Sequence, residues 1–180
     1  MSDNGLSPQN NQGAERGGDQ DLAAPDTPGV AIRPAVAGDL PAIVGLLADD
    51  PLGRLRDDAA AASLDPAYTA AFAAIDADPN QILAVMAADG GRIVGTAQIT
   101  FLPGLSRKGA WRGQIEAVRV AADLRSRGLG ERLMAWAVER CRERGCRLVQ
   151  LASDKTRLDA HRFYGRLGFA ASHEGFKLYL

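Results

Sequence analysis

Long apolar runs, an excess of either charge and paired cysteine motifs are all missing from these 180 residues, and each absence removes a class of protein. No stretch approaches the roughly 20 apolar residues that span a bilayer. The first residues hold neither a basic start nor an apolar stretch, so the expectation is a cytoplasmic protein with no membrane partner. The formal net charge is −1 with 24% charged residues, so bulk attraction to nucleic acid is not expected either. The two cysteines, Cys141 and Cys146, lack the paired spacing of a zinc site; Cys141 reads as core, both thiols as reduced, and no metal is expected. Large apolar residues are also scarce in residues 1–29, which are rich in Gly, Asn, Gln, Asp and Pro. Such a segment cannot offset the entropy of being ordered and is expected to be a disordered tail. Residues 30–180 then form one domain, long enough to bury roughly 70% of its unfolded surface.

Within that domain the pattern alternates between strand and helix periods. Val30-Ala31-Ile32-Arg33-Pro34 reads as a first strand. Asp39 is placed to cap a helix through Leu40, Ile43, Val44 and Leu47, which the Asp50-Pro51 step ends. Residues 52–65, with Arg54, Arg56, Asp57 and Asp58, read as a solvated loop before an alanine-rich helix carrying Tyr68, Phe72 and Ile75. Residues 81–87 and 92–101 flank Asp89-Gly90-Gly91 and predict an antiparallel hairpin, with Gly95 at a bulge or close backbone approach. A loop over 103–113 leads into a central strand, 115–120. Strict alternation there would put Ile115, Ala117 and Arg119 on one face and Glu116, Val118 and Val120 on the other. An acid among valines is costly unless it is hydrated, paired or protonated, so Glu116 asks for a reason. A long helix follows, with Leu129, Leu133, Trp136, Ala137 and Cys141 inward and Gly145 as its stop. Residues 148–151 predict a strand parallel to the central one. A helix carrying Ala160, Phe163, Tyr164 and Leu167 ends at Gly168, and a last pair of short strands is expected near 176–180.

The densest stretch is 118–132, VRVAADLRSRGLGER, which reads as strand, turn and helix. Free N–H groups of a first helical turn, with the helix dipole, suit a phosphate or pyrophosphate. Gly128 and Gly130 would let a ligand approach the backbone, and Arg125 and Arg127 add positive charge. The turn alone fits a plain strand-to-helix connection equally well. It lacks the Gly-Lys-Ser/Thr ending of a P-loop and comes too late in the chain for a dinucleotide-binding sheet. Trp111 and Arg112, an aromatic beside a cation, are candidates for contact with an anionic or planar substrate, and His173 is a further substrate-contact candidate.

Arg125-x-x-Gly128-x-Gly130 after Val118-x-Val120, followed by Ala160-x-x-Phe163-Tyr164-x-x-x-Gly168-Phe169, resembles the GCN5-related N-acetyltransferase (GNAT) family. Asp154-Lys155 with Arg157, then 159–164 and Ser172-His173, more narrowly resemble its aminoalkylphosphonate N-acetyltransferase branch. The resemblance implies a single-domain α/β (α+β) GNAT fold. Its mixed central sheet has six to seven strands, with the central parallel strands splayed and about four helices flanking them. It implies acetyl-CoA as donor, with CoA as product. Val118, Arg119 and Val120 would line the pantetheine arm. Arg125, Ser126, Arg127, Gly128, Leu129, Gly130 and Glu131 would receive the pyrophosphate, and Arg157, Ala160 and Phe163 would complete the cofactor site. By the same resemblance Glu116 is the general base, directly or through water, and Tyr164 protonates the leaving sulfur, while a strand N–H near Val118 meets the oxyanion. Arg157 departs from the asparagine of many members and would favour an anionic acceptor. The implied activity is acetyl transfer to a primary amine of a small molecule. A degenerate acyl-CoA sensor and a protein N-terminal or lysine acetyltransferase are the alternatives, and a homodimer through sheet edges stays open.

Overall fold

The computed structural model describes residues 29–49 and 65–180. The expected tail, apart from Gly29, lies outside them, as do the Asp50-Pro51 step and the charges at Arg54, Arg56, Asp57 and Asp58. In chain order the elements are β1 (Val30–Pro34), α1 (Leu40–Ala48), α2 (Pro66–Ala77), β2 (Gln81–Ala88), β3 (Ile93–Leu102), the single turn α3 (Ser106–Gly109), β4 (Arg112–Val120), α4 (Leu129–Glu143), β5 (Leu148–Leu151) and α5 (Leu158–Arg166). One mixed sheet runs β1-β2-β3-β4-β5, antiparallel except for the parallel pair β4–β5. The β2–β3 hairpin forms as expected, with Gly90 and Gly91 in the left-handed region that its turn demands. Gly95 is also a close approach: a Cβ there would sit 3.1 Å from the Arg119 carbonyl oxygen.

Three expectations are corrected. The sheet has five strands among the described residues, against six to seven, and no strand forms near 176–180. Phe176, Leu178 and Tyr179 stand exposed instead. Alternation supplies a strand's side chains, but its backbone groups also need a neighbouring ladder, and this segment has none. Asp39 precedes α1 without capping its amides. Its carboxylate takes both Arg33 Nη atoms, at 2.7 and 3.0 Å, and the Val36 N–H at 2.8 Å. These bonds hold the Asp39 carboxyl below the usual carboxylate range and tie β1 to the start of α1.

The third correction concerns β4. Thr96 pairs with Arg119 and Gln98 with Glu116, so Ala97 alone opposes both Ala117 and Val118. The bulge places Ala117 at φ 53, a left-handed conformation costing an alanine roughly 1–2 kcal/mol. One extra residue moves the alternation by one. Ile115, Val118 and Val120 therefore join the core face, and Glu116 falls with Gln98 and Gln114 on the other.

Helices cover the two faces unequally. α4 and α5 pack on the face of Met86, Ile99, Phe101 and Ile115, where Leu129, Leu133, Met134, Ala137 and Cys141 are fully buried. Ile43 of α1 and Phe72 of α2 pack against Val85 and Leu83 on the opposite face. The contact of α4 with β4 is tightest at Gly113. A Cβ there would overlap Cys141 Sγ and lie 3.2 Å from Cys141 Cβ. Burial pushes the Cys141 thiol up to about 12, so this sulfur is inert packing. Gly113→Ala is expected to destabilise the fold by about 1–3 kcal/mol through overpacking. Thermal melts of G113A and of the double variant with Cys141→Ala check this: the second substitution should recover most of the loss.

Candidate active site

The parallel pairing stops at Ile115 with Leu151, and Glu116 onward pairs only with β3. Past that point β4 and the chain leaving β5 enclose a cleft of about 620 Å³. Val118, Arg119 and Val120 form one wall, residues 156–160 and Arg162 the other, and Arg125 stands at the mouth. Four arginines against one aspartate, Asp159, make the cleft cationic, and Arg162 is the ion-pair partner of Asp159.

The backbone beside the mouth is shaped for an anion. Ser126 at φ 62 and Gly128 at φ 77 are both left-handed, and Gly128 directly precedes α4. Arg132 is the residue whose N–H returns to the Gly128 carbonyl, at 3.1 Å, so the N–H groups of Leu129, Gly130 and Glu131 lie in the unpaired first turn. A Cβ on Gly128 would meet nothing within 4 Å, which leaves open space above it. Gly130 is different. A Cβ there would lie 3.3 Å from Phe163 Cζ, so its small size seats α5 on α4, while its N–H stays in the unpaired first turn.

Arg125 is also less available than its sequence position implies. Its Nε donates to the Val120 carbonyl at 3.1 Å, and Nη2 donates to the backbone and carboxylate oxygens of Asp49 at 3.1 and 3.4 Å. Arg119 Nη1 donates to the Val118 carbonyl at 2.9 Å. Both edge carbonyls of β4 thus already accept an arginine, and a ligand pairing with that edge would share their second lone pairs.

Tyr164 lies edge-on between Phe163 and Phe169, with ring centroids 5.2 and 6.0 Å away. Burial raises the Tyr164 pKa above its ordinary value, and the charges of Arg157 and Arg119 act against that rise. Those two arginines line the cleft, so their charge there is felt by the phenol. Glu116 is exposed and makes no side-chain hydrogen bond or ion pair with any described residue. The apolar surroundings expected from strict alternation are therefore absent, because the bulge at Ala117 turns Glu116 away from the valines.

The structure thus gathers Val118, Arg119, Val120, Arg125, Arg157 and Ala160 around one cleft, with Ser126 to Glu131 beside its mouth. Glu116, Phe163 and Tyr164 are not among the residues that line it, and neither are Trp111, Arg112 and His173. Trp111 sits before the opposite end of β4, under the Arg144 guanidinium at 4.6 Å, and its carbonyl accepts the Arg147 N–H. His173 lies on the exposed last segment, with Ser172 Oγ 2.8 Å from its Nδ1. Thr156, Leu158, Asp159 and Arg162 line the cleft without having been named as site residues, although Asp159 and Arg162 belong to the stretch that carries the narrower resemblance. Their signal was adjacency to Arg157 and Ala160 on the first turn of α5. Among the described residues, no cluster of three or more His, Cys, Asp or Glu could hold a metal, and no helix is long and apolar enough to cross a membrane.

A mixed sheet that parts beside a glycine-led helix, with a cationic cleft in the gap, is suited to an extended ligand that carries anionic groups. A profile of the acetyltransferase (GNAT) family matches residues 49–169, and the chain belongs to that family. It is 36% identical over 107 residues to an aminoalkylphosphonate N-acetyltransferase from Salmonella typhimurium, covering 59% of this chain and 68% of that protein. It is 39% identical over 88 residues to a glucosamine 6-phosphate N-acetyltransferase from Trypanosoma brucei brucei, covering 49% and 58%. Among solved structures, one described as a transcriptional regulator from Bacillus halodurans is 48% identical with a TM-score of 0.80, covering 84% of this chain and all of that one.

Proposed function

We propose that this protein transfers an acetyl group from acetyl-CoA to the primary amine of a small molecule, by direct attack with both substrates bound. The observation that carries the reading is the half-open β4–β5 pair with its cationic cleft. The free N–H groups from Leu129 to Glu131, the open space over Gly128 and the nearby arginines suit a diphosphate. The β4 edge from Val118 to Val120 suits an extended arm that adds as a strand would. Acetyl-CoA, when bound, supplies an acyl group activated as a thioester. Glu116 takes a proton from the incoming ammonium and frees the lone pair that bonds to the acyl carbon; the carbon–sulfur bond then breaks, and the second proton shed by that nitrogen replaces the one Tyr164 gives up. Tyr164 gives its hydroxyl proton to the departing sulfur.

The arginines at the cleft, Arg157 among them, favour an acceptor that carries its own anionic group. The two relatives named for a phosphonate and a sugar phosphate agree with that choice. A second reading, cofactor binding without transfer, draws support from the Bacillus halodurans relative described as a transcriptional regulator. Calorimetry with acetyl-CoA, followed by thiol release across a panel of amines, decides between them. The expected result is saturable binding, with faster release for aminophosphonates and hexosamine phosphates than for polyamines or peptide N-termini. Binding without release on any amine would establish the sensing reading, and no binding would end both.

A further inference from the structure

The sheet face that carries Glu116 is apolar at Leu83 and Val85, under α1 and α2, and turns polar toward β4. Gln98 lies directly across from Glu116, and Gln114 sits two residues along the same strand, paired with Gln150 of β5. All three glutamines are partly exposed. Cross-strand partners place their Cβ atoms about 4.5–5.5 Å apart, so Gln98 and Glu116 share one patch of surface.

The hydrogen bonds on this face have a fixed direction, set by Asp78. Its carboxylate can only accept, and one oxygen is already held by the Asn80 N–H at 2.8 Å. Gln81 therefore turns its amide nitrogen to the other oxygen, at 3.3 Å. That leaves the Gln81 carbonyl oxygen to accept from Gln98 Nε2, at 2.9 Å. Gln98 has then committed its nitrogen and keeps its carbonyl oxygen as the open end of the chain. A reversed amide at either position would set two donors or two acceptors against each other, so the polarity is imposed by the anchoring carboxylate.

We infer that Gln98 is an acceptor-positioning residue: its Oε1, with the Glu116 carboxylate opposite, receives the N–H groups of the incoming amine. An amine arriving as ammonium has three donors, and this face presents two acceptor groups on adjacent strands. One of its N–H bonds holds the nitrogen at Gln98 while another proton goes to Glu116, which orients the nitrogen lone pair as well as freeing it. Asp78 and Gln81 act through Gln98 by fixing which end of its amide is offered. The inference rests on the transferase reading for the use of the bound amine, but amine binding itself does not require turnover.

The test titrates the CoA-saturated protein with aminoethylphosphonate and with glucosamine 6-phosphate by calorimetry. It compares the unaltered chain with Gln98→Leu and Gln98→Glu and follows CoA affinity in parallel. Q98L is expected to weaken amine binding about tenfold and leave CoA binding unchanged. Q98E keeps acceptor oxygens at the position but sets one against the Gln81 carbonyl oxygen, so its amine affinity is expected to fall between those of Q98L and the unaltered chain. Equal amine affinity in Q98L, a parallel loss of CoA affinity, or no binding of either amine by the unaltered chain would overturn the assignment. Amine binding that responds to Gln98 without any thiol release from acetyl-CoA would leave the assignment standing and sink the transferase reading instead.

Discussion

Exchange of Glu116 for glutamine will lower kcat by about two to four powers of ten and leave the affinity for acetyl-CoA unchanged. An alkylamine with a pKa near about 10.4 arrives almost wholly protonated at neutral pH, and only a group that can accept its proton makes the nitrogen nucleophilic. Glutamine keeps the shape and removes that capacity. Because Glu116 is exposed and makes no ion pair with a described residue, the substitution opens no cavity and strands no partner. Stability should stay within about 0.5 kcal/mol. Steady-state thiol release, read beside thermal melts, tests both halves. A kcat within threefold of the unaltered protein would mean that the proton leaves by another route.

Tyr164→Phe comes next in size, a loss of about two to four powers of ten in kcat with little change in either KM. The ring stays between Phe163 and Phe169, so packing survives and the hydroxyl alone is removed. The pH dependence has a definite sign. Burial raises the folded-state pKa above the ordinary 10.0, so the phenol keeps its proton throughout the neutral range. Its contribution to stability is fully present below the unfolded pKa and is lost as pH rises through the folded one. The unaltered protein should therefore lose stability above pH 10.0 on this account, and Y164F should not. Any fall in kcat below that pH belongs to another group. Retention of full kcat in Y164F would confine Tyr164 to packing.

The cofactor side of the site was the more legible part. Glycines at 128 and 145, the i, i+3, i+4 spacing of Ala160, Phe163 and Tyr164, and the apolar stripe of α4 are local properties, and the structure realises each of them. The elements they specify carry Val118 to Val120 and Arg157 to Ala160 to opposite walls of one cleft. Local pattern misled where a second segment had to be known. Gly130 gives no hint in the sequence that its missing side chain makes room for Phe163. Arg125 reads as a free cation until its bonds to Val120 and Asp49 are counted. Trp111 beside Arg112 looks like a binding pair, yet Arg144, brought in by the end of α4, uses the indole as a platform.

By itself the sequence determined the order of strands and helices, the strand–turn–helix unit at the centre and the family. Each of these rests on residues near one another in the chain, whose backbone preferences and periodicity act at short range. The tertiary structure alone decided which way Glu116 faces, because the bulge at Ala117 exists only in the pairing of β4 with β3. It likewise decided that β5 parts from β4 after Leu151, and that a chain of amides anchored on Asp78 ends beside Glu116. Register between distant strands sets all three, and no stretch of a single strand encodes register.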